Sequence, residues 1–192
     1  RKTDAWISID TTKSEVAEQS LRAGANVVND ISGLRFDPKL AQVVRKFHCP
    51  LILMHIRGVP KTMQSPPFMK NLWPSVRDGL QRSVQRALTA GLGRNQLILD
   101  PGLGFGKSLA QNYELLARWY RLRNFHLPLL VGSSRKSFIQ HVVTKSRQNP
   151  SLVINHRQLP FVKSSPELVA GTAGTLVAAV LGGAHIARVH DI

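Results

Sequence analysis

Seven polar residues stand at or just past the ends of short apolar runs: Asp10, Asn29, His55, Asp100, Lys136, Arg188 and His190. Asp and Asn offer the acceptors and donors that a flat, amide-like heterocycle requires at its edge. Phe105 and Arg188 offer planar faces for stacking on such a ring. Lys136, Arg188 and His190 are the cations that a diphosphate or carboxylate needs. Met54 and Ser134 are candidates at the same strand ends. No Cys/His spacing points to zinc, and no Ser–His–Asp order stands out.

The densest of these stretches is Leu97-Ile98-Leu99-Asp100-Pro101-Gly102-Leu103-Gly104-Phe105-Gly106-Lys107. Its apolar start reads as a buried strand that ends in a carboxylate, and Pro101 forbids the strand to continue. Three glycines then supply backbone freedom and bare N–H groups, with Phe105 as an aromatic platform and Lys107 as a cation. The structural reading of the same residues is a tight turn before a helix. Asp10 can likewise cap the helix that follows it. Asp30, adjacent to Asn29, points to the opposite sheet face and reads as structural. His55 reads as a hydrogen-bonded strand-end histidine, Met54 as core, and Cys49 as a buried thiol.

Strands that could hold these residues are Trp6–Asp10, Asn26–Ile31, Leu51–His55, Leu97–Asp100, Leu127–Val131 and His185–His190. Helical spacing predicts helices over Lys13–Ala23, Pro38–Phe47, Leu72–Ala90, Asn112–Leu122 and Glu167–Leu181. Arg57–Pro67 is a long loop, and 145–166 reads as a solvent-exposed insertion in a single domain spanning 1–192. Near-continuous apolar strands alternating with helices suit a parallel sheet covered on both faces, an α/β class. Six such units fit either an open doubly wound sheet or most of an eight-stranded barrel. Polar residues at every strand end favour the barrel, in which all these loops share one mouth.

Hydrophobic residues make up 43% of the 192-residue chain and charged residues 19%, a soluble globular balance with no membrane span. One cysteine leaves no disulfide within the chain, so a reducing, cytoplasmic setting is expected. Lys and Arg outnumber Asp and Glu by 26 to 11. The bases are dispersed and aromatics are sparse, which argues against a nucleic-acid partner and for steering of an anionic small substrate. There is no initiator Met, and the chain is expected to be a fragment.

At these residues the chain resembles the dihydropteroate synthase family. The resemblance rests on Ile9-Asp10-Thr11 with Lys13, Val28-Asn29-Asp30-Ile31, and Leu53-Met54-His55 followed by Gly58, Pro60, Lys61, Thr62 and Met63. It continues through Leu99-Asp100-Pro101-Gly102 and Phe105-Gly106-Lys107, Gly132 with Ser134-Arg135-Lys136-Ser137, and Arg188-Val189-His190-Asp191. It implies a (β/α)8 TIM barrel, incomplete here, whose third to eighth strands these would be. It also implies the joining of 6-hydroxymethyl-7,8-dihydropterin diphosphate to p-aminobenzoate in folate synthesis. Asp100 would bind the amino and ring N–H groups of the pterin, Asn29 the ring edge, and Met54 would line the same pocket. Asp10 would stabilise the developing cation. Lys136, with Ser134 and Phe105, would border the aminobenzoate, while Arg188 stacks on the pterin and holds the diphosphate with His190.

The resemblance further implies Mg2+, with its ligand in an N-terminal part that precedes these residues, so no metal ligand is expected within this chain. A homodimer is implied for the longer protein. Other readings are a pterin-dependent methyltransferase on the same barrel, a basic binding module, or an inactive remnant. The 192 residues alone are expected to turn over poorly while the longer chain is active; robust synthase activity from the isolated piece would refute this.

Overall fold

Leu51–Met54 is buried at every position and Leu97–Asp100 at all but one, as only a sheet covered on both sides allows. The computed structural model describes residues 4–66, 68–148 and 165–190. Within them the chain runs β1 (Ser8–Asp10), α1 (Ser14–Arg22), β2 (Val27–Asp30), α2 (Leu40–Phe47), β3 (Leu51–Met54), α3 (Leu72–Thr89), β4 (Leu97–Asp100) and α4 (Leu109–Ala117). It continues with β5 (Leu130–Val131), α5 (Ser137–Gln148), α6 (Pro166–Leu181) and β6 (Ile186–Ala187).

All strand pairs are parallel, in the orders β1-β2-β3-β4 and β5-β6. A parallel bridge between Leu99 and Leu129 joins the two groups, and Leu99 N–H donates to Pro128 O at 2.9 Å. Spatial order therefore follows chain order throughout. A doubly wound sheet reverses its order at a switch point, so the barrel alternative holds. The sheet is an incomplete (β/α)8 barrel. It curls until the end of β6 meets that of β1, where Arg188 Nη2 lies 2.6 Å from Asp10 Oδ2.

Strand alternation divides the side chains between two cores. Val28, Leu51, Leu53, Leu97, Leu99, Leu129 and Val131 join the helices in the larger one. Val27, Ile52 and Leu130, with Ile98 packed on them, form a small inner core. A cavity of about 550 Å³ lies against this inner face, lined among others by Ser8, Asp10, Asn29, Ile186 and Arg188.

Several expected boundaries shift. The helix predicted over Asn112–Leu122 is α4, which begins earlier because Ser108 and Gln111 form a capping box, and a 3-10 segment follows at Trp119–Phe125. Pro38 precedes α2 instead of opening it, and β6 stops at Ala187, short of His190. Asp10 does not cap α1; Asp37 does so from a distance, accepting Ser14 N–H at 2.7 Å. Helix α5 reaches Gln148, inside the stretch expected to be an insertion, and 149–164 lie outside the described residues. Cys49 is buried, and burial pushes its thiol up.

Asp30 is fully buried on the helix side, as its alternation with Asn29 requires. Its carboxylate accepts Ser32 N–H at 2.8 Å and Leu34 N–H at 2.6 Å, closing the turn after β2. Asp30→Ala strands two buried donors and is expected to cost about 2–4 kcal/mol in denaturant unfolding, with Asp30→Asn costing less. Equal stability of Asp30→Ala and wild type would contradict this role.

Candidate active site

Strand register sets the rim. Asp10 pairs with Asn29 across β1 and β2, and Met54 pairs with Asp100 across β3 and β4, so each pair projects to the inner face. Asn29 Nδ2 donates to Asp10 Oδ1 at 2.8 Å, and Arg188 Nη2 donates to Asp10 Oδ2. Asp10 is thus held between an amide and a guanidinium. The Oδ1 atom of Asn29 is buried and accepts no hydrogen bond from the described residues.

Asp100 is only 6% exposed. Burial pushes its carboxyl up, against the pull of Lys136, the Gly102 N–H, Lys107 and Arg188. Oδ1 accepts Gly102 N–H at 2.7 Å. This bond starts the glycine loop, in which Gly102 has φ +71°; a Cβ there would stand 2.1 Å from His55 O. No other residue fits at that position. Met54 lies beneath the same turn, its Cγ 3.2 Å from that Cβ position.

Lys136 crosses the loop from the β5 side. Its Nζ donates to Leu103 O and sits 4.6 Å from the centroid of the Phe105 ring, a cation–π contact. Burial lowers its pKa to about 8; Asp100 opposes the shift and Arg188 adds to it. Ser134 is buried, and its Oγ accepts His190 N–H at 3.3 Å, tying the segment after β6 to the loop after β5. The rim therefore gathers Asp10, Asn29, Met54, Asp100, Phe105, Ser134, Lys136 and Arg188. His190 joins it through its backbone, and the residue is exposed.

Lys107 is placed differently from the loop cation expected of it. It is 3% exposed and lies behind the glycine loop. Its Nζ donates to Gly102 O at 2.8 Å and Phe105 O at 3.2 Å, and stands 3.1 Å from His55 Nδ1. Burial brings its pKa down to about 7 despite Asp100. Burial and the Lys107 charge together bring His55 down to about 2, so its ring is neutral beside the lysine. The ring packs on α3, where a Cβ on Gly79 would come within 2.4 Å of it. His55 is a hydrogen-bonded strand-end histidine, and with Lys107 it supports the rim from below.

The long loop after β3 also contributes more than its composition revealed. Arg57 Nη2 donates to Met63 O at 2.8 Å and Ser65 O at 2.6 Å, folding the loop on itself. Gln64 Nε2 then donates to Gly104 O at 2.6 Å, laying the loop on the glycine loop. The arginine two residues after His55 and the amide in a Pro-flanked loop are the available signals.

The profile of the pterin binding enzyme family matches residues 1–190. The chain belongs to that family. Dihydropteroate synthase of Synechocystis sp. is 43% identical over 189 residues, covering 98% of this chain and 60% of the relative. A Yersinia pestis dihydropteroate synthase solved as a sulfonamide drug complex superposes with TM-score 0.84 at 38% identity, covering 99% of this chain and 62% of that one. A Xanthomonas albilineans dihydropteroate synthase solved with 4-aminobenzoic acid gives TM-score 0.81 at 33% identity, covering 99% and 61%. The chain thus spans about 60% of the length of the curated relative.

Lys107 sets a pH dependence of stability. In the native state it releases its proton near pH 7, but in the unfolded chain it keeps it until about its ordinary 10.5. Between those values the unfolded state binds more protons, so this contribution to stability rises with pH. The stability difference between wild type and Lys107→Met, measured by urea unfolding, is expected to climb in favour of wild type from pH 7 to 10. A flat difference would show that Lys107 keeps its proton.

Proposed function

We propose that the full-length protein containing this chain is a dihydropteroate synthase. It would join 6-hydroxymethyl-7,8-dihydropterin diphosphate to p-aminobenzoate, forming 7,8-dihydropteroate and diphosphate. The observation that carries this reading is that buried acceptors and cations stand together at one rim. Buried acceptors, Asp100 and an Asn29 Oδ1 that accepts no hydrogen bond from the described residues, share the inner face with two cations, Lys136 near Asp100 and Arg188 on Asp10 beside Asn29. That pattern suits a ring rich in N–H donors that carries an anionic tail. The similarity to synthases crystallised with a sulfonamide drug and with 4-aminobenzoic acid supports the same reading.

In this reading Asp100 accepts from the pterin amino and ring N–H groups, Asn29 meets the ring edge, and Met54 lines the pocket. Arg188 stacks on the pterin and, with His190, draws charge from the departing diphosphate as the methylene C–O bond breaks. Asp10 favours the positive charge that develops on that methylene. The arylamine nitrogen forms the new C–N bond as the C–O bond to diphosphate breaks, and it releases its proton to solvent, with Lys136, Ser134 and Phe105 bordering the aminobenzoate. Lys136, with a pKa near 8, keeps substantial positive charge at neutral pH. A pterin-dependent methyltransferase has no anionic leaving group for such cations to hold, so their presence favours the synthase.

Magnesium is part of the proposal for the whole protein, but these residues do not fit it alone. Among the described residues no three His, Cys, Asp or Glu side chains gather as ligands, and Asp10 is engaged by Asn29 and Arg188. Its ligands are therefore proposed to come from outside the described residues, and no step above runs through it. A homodimer belongs to the same reading, supported by the exposed Val177, Val180 and Leu181 on α6. A cytoplasmic setting also belongs to it; among the described residues no helix is long and apolar enough to cross a membrane.

Calorimetry of the full-length protein with the pterin diphosphate tests the assignment. Asp100→Ala and Lys136→Ala are each expected to weaken binding by roughly 2–4 kcal/mol, since each removes a charged partner of a buried polar ligand. Labelled p-aminobenzoate should appear in a pterin-linked product. Unchanged affinity in both variants, or no labelled product from wild type, would sink the reading.

A further inference from the structure

A second concave site lies on the helix layer, outside the inner sheet face that carries the rim. Between α2 and α3 a cleft of about 800 Å³ is lined by Arg35, Arg82 and Arg86, and no carboxylate lines it. Leu34, Pro38 and Ala41 give it an apolar wall. In a protein, three guanidinium groups on one bounded surface without acidic partners constitute an unmet demand for negative charge.

The walls are fixed. Arg35 Nε donates to Ser32 O at 3.1 Å, and its Nη2 donates to Gly58 O at 2.8 Å and Ile56 O at 3.2 Å. Arg86 Nη1 donates to Gly33 O at 3.3 Å. Gly33 is packed so tightly on α3 that a Cβ would stand 2.2 Å from Ser83 Oγ. The nearby acids are committed elsewhere: Asp30 to the Ser32 and Leu34 N–H groups, Asp37 to those of Ser14 and Lys39. Arg82 has no hydrogen bond or ion pair among the described residues. The three cations feel one another: after burial, the charges of Arg86 and Arg82 are what lower the proton affinity of Arg35, with Asp30 opposing.

We propose that this α2/α3 cleft binds a small organic phosphate with at least two negative charges, its phosphates on Arg35, Arg82 and Arg86 and its body on the Leu34–Pro38–Ala41 wall. A nucleic-acid polymer fits less well. Such a strand is tracked by a line of bases with aromatic platforms between them, whereas these arginines share one bounded cleft whose lining holds no aromatic residue. The site is independent of the synthase reading. It has a physical link to the rim, because Arg35 holds the carbonyls at 56 and 58 from which the loop over the glycine turn departs.

The test is calorimetry on the full-length protein carrying Arg188→Ala, which weakens anion binding at the mouth. ATP and inorganic tripolyphosphate are the probes. ATP is expected to bind at least as tightly as tripolyphosphate, and Arg82→Glu/Arg86→Glu to weaken both by about 100-fold, about tenfold per arginine. Arg82→Glu alone, at an exposed and unpaired position, should preserve the thermal midpoint and still lose at least about tenfold. The proposal falls if neither probe binds or if the charge reversals leave affinity unchanged. Tripolyphosphate binding without ATP binding overturns the organic ligand. Tighter binding of single-stranded DNA, with a salt slope well beyond three phosphates, overturns the small-molecule reading in favour of a polymer.

Discussion

Everything at the rim depends on a two-sided sheet whose faces never exchange roles. Each strand gives alternate residues to a broad helix-covered core and to a narrow inner one, and a one-residue slip would swap them. The inner core is small, built on Val27, Ile52, Leu130 and Ile98. It therefore acts less as a source of stability than as a floor. Asp10, Asn29, Met54 and Asp100 stand one alternation step beyond it, because the pleat leaves them no other face. The outer core supplies most of the apolar burial that holds this arrangement in place.

Electrostatics at the rim follow from the same arrangement. A carboxylate as buried as Asp100 is tolerated because Lys136, Lys107 and Arg188 lie within range and a backbone N–H caps it. Lys107 is tolerated in turn because carbonyl groups of the glycine loop converge on its ammonium, with the neutral His55 ring beside it. The support beneath the loop is thus polar and hydrogen-bonded, with Lys107 holding two of its carbonyls and Asp100 and Asn112 accepting the Gly102 and Gly104 N–H groups. A network of this kind specifies one loop conformation more than it adds stability.

The central strands and the glycine loop were legible in the sequence because an apolar run, a carboxylate and a proline follow one another there. The separation of Asp30 from Asn29 was legible too, from alternation alone. The break after α4 was not. Leu115, Leu116, Trp119 and Leu122 are all buried at helical spacing, so periodicity runs unbroken through a change to 3-10 geometry. The burial of Lys107 was hidden because it depends on carbonyls, which no side-chain pattern reports. The capping of α1 by Asp37 was hidden because the two are 23 residues apart. The length of β6 was overestimated because its polar and apolar residues alternate beyond the last ladder bond.

The contact between Asp10 and Arg188 has a consequence for how an anion would arrive. Both side chains are at least half exposed, so their pairing is worth at most about 1 kcal/mol. A weak internal partner of this sort works as a placeholder. It holds the guanidinium at the rim, and in the proposed reading it would yield readily to an incoming anion with more charge to offer. In that reading the arginine would change partner without first having to be found, and the carboxylate it leaves would keep the Asn29 amide as its neighbour, its charge no longer matched by a cation.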